Sequence, residues 1–267
     1  MDMIALQNRL GAMSGSGVTV VGDIMVDRFV HGAVSRVSAE APVPILARIS
    51  EQAMLGAAGN VARNIVSLGG AAALIGVLGV DAAAAEARAL IAAGSGPIAA
   101  TLISDPDRPT TTKVRFVSAG QQLMRVDHEA ARPVEGEVEQ AILQAIGASA
   151  TRAILLSDYG KGVVTDAVIQ ACLVAAKASG APLIVDSKAR HFGRYGAADV
   201  VKPNAAELAF ATDLPTSTDA EVEVALEKAL TLAACGAILV TRAAQGMSLA
   251  VRGQPVRHFR RPAPEVF

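Results

Sequence analysis

A chain of 267 residues suits one large α/β domain as well as two small ones, and its 52% hydrophobic content provides for a sizeable core. With 24 basic residues against 25 acidic, the net charge of -1 argues against a general nucleic-acid or anionic-membrane surface without excluding a local phosphate pocket. Two cysteines, Cys172 and Cys235, cannot make a disulfide framework, and the four histidines show no metal-ligand spacing with them, which fits a reducing, cytoplasmic setting.

The opening Met1-Asp2 precedes no basic run followed by an apolar stretch, so no secretory leader is expected. Val18 to Val21 is a short β-branched run ending at Gly22-Asp23 and reads as a buried first strand. Arg28 to Ser50, interrupted by Gly32, Pro42 and Pro44, reads as edge strands and turns. Asn60 to Leu68 has apolar residues at helical spacing with Gly69-Gly70 as its stop, followed by a strand at Leu74 to Leu78. The uncharged run from Asn64 to Val80 approaches the roughly 20 residues of a membrane span, but Gly69-Gly70, Gly76 and Gly79 divide it. A helix is expected at Ala82 to Ala93. Lys113 to Asp127 alternates charged and apolar residues around Ala119-Gly120, the pattern of a half-exposed hairpin.

From there the order becomes regular. Helices at 135–146, 166–178, 205–211 and 220–234 alternate with strands at 153–156, 183–185, 200–201 and 237–240, and 247–251 follows as a strand. That alternation implies an α/β fold with a parallel sheet covered on both faces. Ligands of such sheets sit at the carboxyl ends of the strands. The polar clusters fall there: Gly22-Asp23, Ser157-Asp158-Tyr159, Asp186-Ser187-Lys188, Pro203-Asn204 and Thr241-Arg242.

Two nucleotide signatures are missing. No G-x-x-x-x-G-K-[ST] occurs, and Gly15 and Gly17 precede the first strand instead of following it, which argues against a P-loop enzyme and a Rossmann dehydrogenase. Gly56-Ala57-Ala58-Gly59-Asn60 opens a helix, where small residues admit a ligand to an anion-favouring terminus; tight helix–sheet packing accounts for it equally well. Asn204 and Glu207 have the spacing of a capping box, and Glu207 is also suited to order a water-coordinated Mg²⁺. Asp158 with Lys161, and Asp186 with Lys188, are either surface ion pairs or substrate contacts in the crevice. Lys113 and Arg115, with Arg125, form either a solvated hairpin face or a phosphate clamp, because alternate strand residues point the same way.

Taken together, Val20-Val21-Gly22-Asp23-Ile24-Met25-Val26-Asp27, the Gly56 to Asn64 segment, Asn204-Ala205-Ala206-Glu207 and Val240-Thr241-Arg242 with Gly246 resemble the ribokinase-like (PfkB) carbohydrate kinases. Ser35 to Pro44, Thr111 to Arg115, Leu156 to Tyr159 and Val240 to Ser248 resemble one branch, the heptose-7-phosphate kinases that form half of a bifunctional kinase/adenylyltransferase. The resemblance runs from Val18 onward in family order. It implies a three-layer sandwich with a mostly parallel sheet and a small β-lid from about 28–51 and 113–127, all within a single domain over 1–267. It implies that Asp27, with Asp23, binds sugar hydroxyls, that Gly56 and Asn60 line the sugar pocket, and that Lys113, Arg115 and Arg125 meet the substrate's phosphate. Asn204, Ala205, Ala206 and Glu207, with Lys188, would sit near Mg²⁺ and the ATP phosphates, and Thr241, Arg242 and Gly246 by the nucleotide. A homodimer through the lid is implied too.

Ala57 stands where a second glycine is expected, and Ser187 where a proline is expected. Pro264-Glu265-Val266-Phe267 resembles the lead-in to the family's G-A-G-D segment, so the catalytic base is expected beyond Phe267 and the chain itself is expected to bind but scarcely to turn over. The activity implied is ATP-dependent phosphorylation of a heptose 7-phosphate at its anomeric hydroxyl, toward ADP-heptose and the lipopolysaccharide core. The alternatives are another sugar or nucleoside kinase of the same fold, and a non-catalytic sugar-phosphate-binding module.

Overall fold

The computed structural model describes residues 17–260 apart from 95, 97 and 150, so Gly15 and the 264–267 segment lie outside the described residues. A large sheet is built from β1 (Gly17–Gly22), β4 (Ala71–Leu78), β5 (Ile98–Ser104), β8 (Ala153–Asp158), β9 (Leu183–Ser187), β10 (Val200–Lys202), β11 (Ala237–Thr241), β12 (Met247–Val251) and β13 (Arg257–Phe259). Its spatial order is β13-β12-β11-β10-β9-β8-β1-β4-β5. The seven strands from β11 to β5 are parallel, and β12 and β13 add two antiparallel pairings at one side.

The β-branched run of β1 explains its central place. Val20 and Leu74 enter one core cluster with Ala58 and Ala62 of α1 (Ala57–Ser67) and Ala87 and Ile91 of α2 (Ala82–Ala92). Val21, Ile75 and Leu156 point to the other face. There they meet α3 (Gly136–Gly147), α4 (Asp166–Ser179), α5 (Ala205–Thr212) and α6 (Asp219–Leu232). Successive strand residues thus feed opposite layers, which is why these strands are apolar throughout and do not alternate. Gly22 ends β1 at φ +153°, where a Cβ would lie 2.1 Å from the Ser157 carbonyl oxygen, so the close crossing onto β8 needs glycine.

A second sheet of four strands has the order β3-β2-β6-β7, from β2 (Ile24–Val37), β3 (Pro44–Gly56), β6 (Thr111–Ser118) and β7 (Gln121–His128). The short strands expected between Arg28 and Ser50 are in fact strands of 14 and 13 residues. Register shifts at His31/Gly32 and Val34/Arg36 break the alternation that would have revealed their length. Strands β5 and β13 were not expected either. β5 is a half-exposed edge strand, and β13 has only three residues. No helix among the described residues is long and apolar enough to cross a membrane.

Candidate active site

Strands β11, β10, β9, β8 and β1 are consecutive neighbours, so their carboxyl ends line up along one edge. That edge brings Thr241, Asn204, Asp186, Lys188, Tyr159 and Asp23 into one row, with the four-stranded sheet rising from the β1 end through the Gly22–Ile24 connection.

Two aspartates expected to hold substrate are turned inward. Asp23 is 1% exposed, and its carboxylate accepts the backbone N–H groups of Tyr159 (2.8 Å), Lys161 (3.1 Å) and Val163 (3.2 Å). Burial pushes its acid up from the usual range, although the three N–H donors oppose that. With its oxygens occupied, Asp23 fixes the loop after β8 and does not meet sugar. Asp158 is likewise buried and accepts from Arg194 (3.0 Å), the Tyr195 hydroxyl (2.8 Å) and the Gly160 N–H (3.0 Å). Ser187 completes this network. Its hydroxyl lies 2.7 Å from that of Tyr195 and accepts the Ala189 N–H at 3.0 Å, a role that the expected proline could not fill.

The acidic and basic residues expected on the sugar side of β2, β6 and β7 stand on one face of the four-stranded sheet. Register pairs Asp27 with Lys113 and Lys113 with Asp127, then Phe29 with Arg115 and Arg115 with Arg125. Cross-strand partners share a face, so Asp27, Lys113, Arg115 and Arg125 form one charged surface, while Val26 and Leu55 enter the core. Arg115 pairs with Asp27 and lies 5.2 Å over the Phe29 ring. Lys113 contacts Asp127 (2.9 Å) and Glu129 (3.1 Å), and Arg125, about half exposed, also pairs with Asp127 at 2.8 Å. Lys161, from the loop that Asp23 holds, reaches Glu129 at 2.6 Å. Glu129 thus joins this face to the core, and nothing in its local sequence marked it, because its partners are 16 and 32 residues away. Gly56 packs against this face, since a Cβ there would lie 2.4 Å from the Asp27 carboxylate. Ala57, next to it, is held at φ +48°, the left-handed region that the expected glycine would enter freely. Asn60 is exposed on the first turn of α1.

At the other end of the row, Asn204 and Glu207 form a full capping box. Asn204 accepts the Glu207 N–H at 2.9 Å, and Glu207 accepts the Asn204 N–H at 2.7 Å. The second carboxylate oxygen of Glu207 holds Lys188. Burial lowers the Lys188 ammonium pKa, but Glu207 outweighs it and raises the value overall. Asp186 pairs with Lys202 at 3.0 Å. Lys188 also lies 5.1 Å over the Tyr159 ring. Burial first, then the Asp186 carboxylate, push the Tyr159 phenol up, with Lys188 opposing them.

A cavity of about 970 Å³ opens beside the capping box, walled by Ala205, Ala206, Thr241, Gly246, Met247 and Phe259. Small and apolar walls suit a flat base. Arg242 contributes to the wall, but its side chain is 2% exposed and bonds Asp219 (2.6 Å), Ser248 (3.2 Å) and Gln245 (3.0 Å). Its charge is met by Asp219, so Arg242 shapes the cavity wall beside Thr241 and Gly246.

Among the described residues no group of three or more His, Cys, Asp or Glu side chains could hold a metal ion. Both oxygens of Glu207 are already partnered. Mg²⁺ takes few carboxylates and keeps several waters, so Glu207 is suited to hold such an ion through its waters.

A mostly parallel sheet, a charged second sheet at its carboxyl edge and a cavity beside a capped helix define a ribokinase-like α/β fold. The chain belongs to the family described as pfkB family carbohydrate kinase, whose model matches residues 16–266. It is 48% identical over 264 residues to the bifunctional protein HldE of Caulobacter vibrioides, covering 98% of this chain and 54% of that protein. To the HldE of Hyphomonas neptunium it is 43% identical over 264 residues, again 98% of this chain and 54% of that protein. The chain therefore spans about half the length of the curated relatives it matches. Among solved structures, phosphofructokinase-2 from Escherichia coli in complex with substrates and products superposes with a TM-score of 0.74 at 19% identity, covering 92% of this chain and 79% of that one. Arabidopsis thaliana ribokinase complexed with ribose and ATP gives 0.68 at 21%, covering 92% and 78%. At these identities the two structures speak to the fold alone.

Proposed function

We propose that this chain serves the ATP-dependent phosphorylation of D-glycero-β-D-manno-heptose 7-phosphate at its anomeric hydroxyl, in the cytoplasm, toward ADP-heptose and the lipopolysaccharide core. One observation carries the substrate class: Lys113, Arg115 and Arg125 share a face with Asp27, and Lys161 of the core meets Lys113 at Glu129. A neutral sugar needs no such basic surface, whereas a sugar that already bears phosphate does. The likeness to HldE proteins over nearly the whole chain supports the heptose branch.

On this reading ATP takes the cavity between Ala205 and Gly246, with its phosphates directed along the row toward Lys188 and Tyr159. Mg²⁺, when bound, neutralises charge on the phosphates. Lys188 offers a further cation, and Glu207 holds both Lys188 and the hydration shell. Asp27 orients the sugar, and the basic face anchors its 7-phosphate. Transfer in line then depends on positioning and electrostatics. Exposed Leu123, Met124 and Val126 on β7 support a homodimer through the second sheet.

The test is ADP release by the full-length protein with heptose 7-phosphate, fructose 6-phosphate, ribose and adenosine as acceptors. Heptose 7-phosphate is expected to react fastest. Faster reaction with ribose or adenosine would overturn the branch while leaving the family in place.

A further inference from the structure

We infer that Glu129 is a built-in counter-anion that stands, in the ligand-free protein, where an incoming substrate's phosphate binds, and that Lys161 of the core is a partner of that phosphate. The inference rests on the sugar-phosphate reading above.

The geometry has two sides. Lys161 is fixed to the core: Asp23 accepts its backbone N–H, and Arg108, itself paired with Asp105 at 2.9 Å, donates to the Lys161 carbonyl at 3.2 Å and to the Arg132 carbonyl at 2.8 Å. Gly162 lies so close to Arg132 that a Cβ would meet its carbonyl oxygen at 1.9 Å, and the Gly162 carbonyl accepts the Val134 N–H. Lys113 belongs to β6 of the other sheet. Among the described residues the group joining the two ammonium ions is the Glu129 carboxylate, with one oxygen 3.1 Å from Lys113 and the other 2.6 Å from Lys161. Both lysine side chains are mostly covered, at 13% and 18% exposure, while Arg125 is 48% exposed and already satisfied by Asp127.

Two cations brought this close and partly desolvated need an anion between them. Glu129 supplies it when no ligand is present. Burial raises its acid, but the two lysines outweigh that and keep it ionised below the ordinary range. A phosphate dianion offers more charge and more acceptor oxygens than a carboxylate. It replaces Glu129 between the lysines, and Glu129 swings toward solvent. A neutral sugar cannot displace the carboxylate, so Glu129 sets a threshold that favours phosphorylated acceptors.

The experiment titrates inorganic phosphate into wild type, E129Q and E129Q/K161M by calorimetry at low salt, with unfolding midpoints to establish folding. Removing the competing charge should tighten phosphate binding roughly threefold to tenfold in E129Q, and adding K161M should abolish that gain. E129D, too short to reach both lysines, should show a smaller tightening and serves if E129Q folds poorly. Unchanged or weaker binding in E129Q overturns the counter-anion, and a double variant that keeps the gain overturns the part given to Lys161. A preference for some other sugar phosphate would fail the acceptor panel and still pass here, whereas a face that takes no phosphate would show no tightening.

Discussion

Asp23→Asn separates a positioning role from a sugar contact. In the wild type Oδ2 accepts from Tyr159 and Lys161, and Oδ1 accepts from Val163. Asparagine keeps one acceptor oxygen. Set in place of Oδ2, it leaves the Val163 N–H facing the new amide NH₂, so two buried donors stand without an acceptor. Each costs about 1–3 kcal/mol. Removing a buried charge returns part of that, because burial already disfavours the ionised form. The net expectation is a loss of about 2–4 kcal/mol in urea unfolding at unchanged m, a large share of a typical domain's stability. Sugar-phosphate affinity should fall only modestly, through a looser Lys161 loop. If D23N keeps wild-type stability and yet loses sugar binding, the inward assignment of Asp23 is wrong.

Three further outcomes follow from particular contacts. Glu207→Gln should preserve helix α5, since glutamine can close a capping box, yet weaken MgATP binding about tenfold or more by calorimetry, because Lys188 and the ion's hydration shell lose their anion; lower stability with normal ATP affinity would make Glu207 a cap alone. Ala57→Gly should raise the unfolding free energy by up to about 1 kcal/mol, the approximate cost of a left-handed non-glycine residue, less glycine's greater chain entropy; a destabilised variant would refute strain at this position. Glu129 has a folded-state pKa below its ordinary 4.5, so its ion pairs contribute fully above that value and are lost as pH falls through the folded value. The stability gap between wild type and E129Q should therefore be flat at neutral pH and shrink in acid, and a gap that widens in acid would contradict the pairing.

Much of the frame was legible because it is local. The runs at Val18 to Val21 and Ala237 to Val240 gave central strands, and Asn204 with Glu207 gave a cap that the structure contains in full. The row of strand ends followed from the crevice rule, and the matching positions of Lys113 and Arg115 from the two-residue strand period. What stayed hidden is long-range. The donors that turn Asp23 inward come from residues 136 to 140 positions away, and the Arg242 charge is quenched by Asp219, 23 positions back. A propensity pattern carries no trace of either. Glu129 escaped for the same reason, lying between a strand and a helix with no motif around it. Strand β5 escaped because a half-exposed edge strand shows neither a continuous apolar run nor a clean alternation.

The central claim is that the charged face of the second sheet selects an acceptor already bearing phosphate. Its most direct test compares the affinity of this chain for D-glycero-β-D-manno-heptose 7-phosphate with that for the same heptose without phosphate, by calorimetry at fixed ionic strength. Charge-assisted bonds from Lys113, Arg115 or Lys161 contribute about 1.5–3 kcal/mol each, so the phosphorylated sugar should bind at least about tenfold more tightly, with the advantage shrinking as salt rises. Equal affinity for the two sugars would contradict the account.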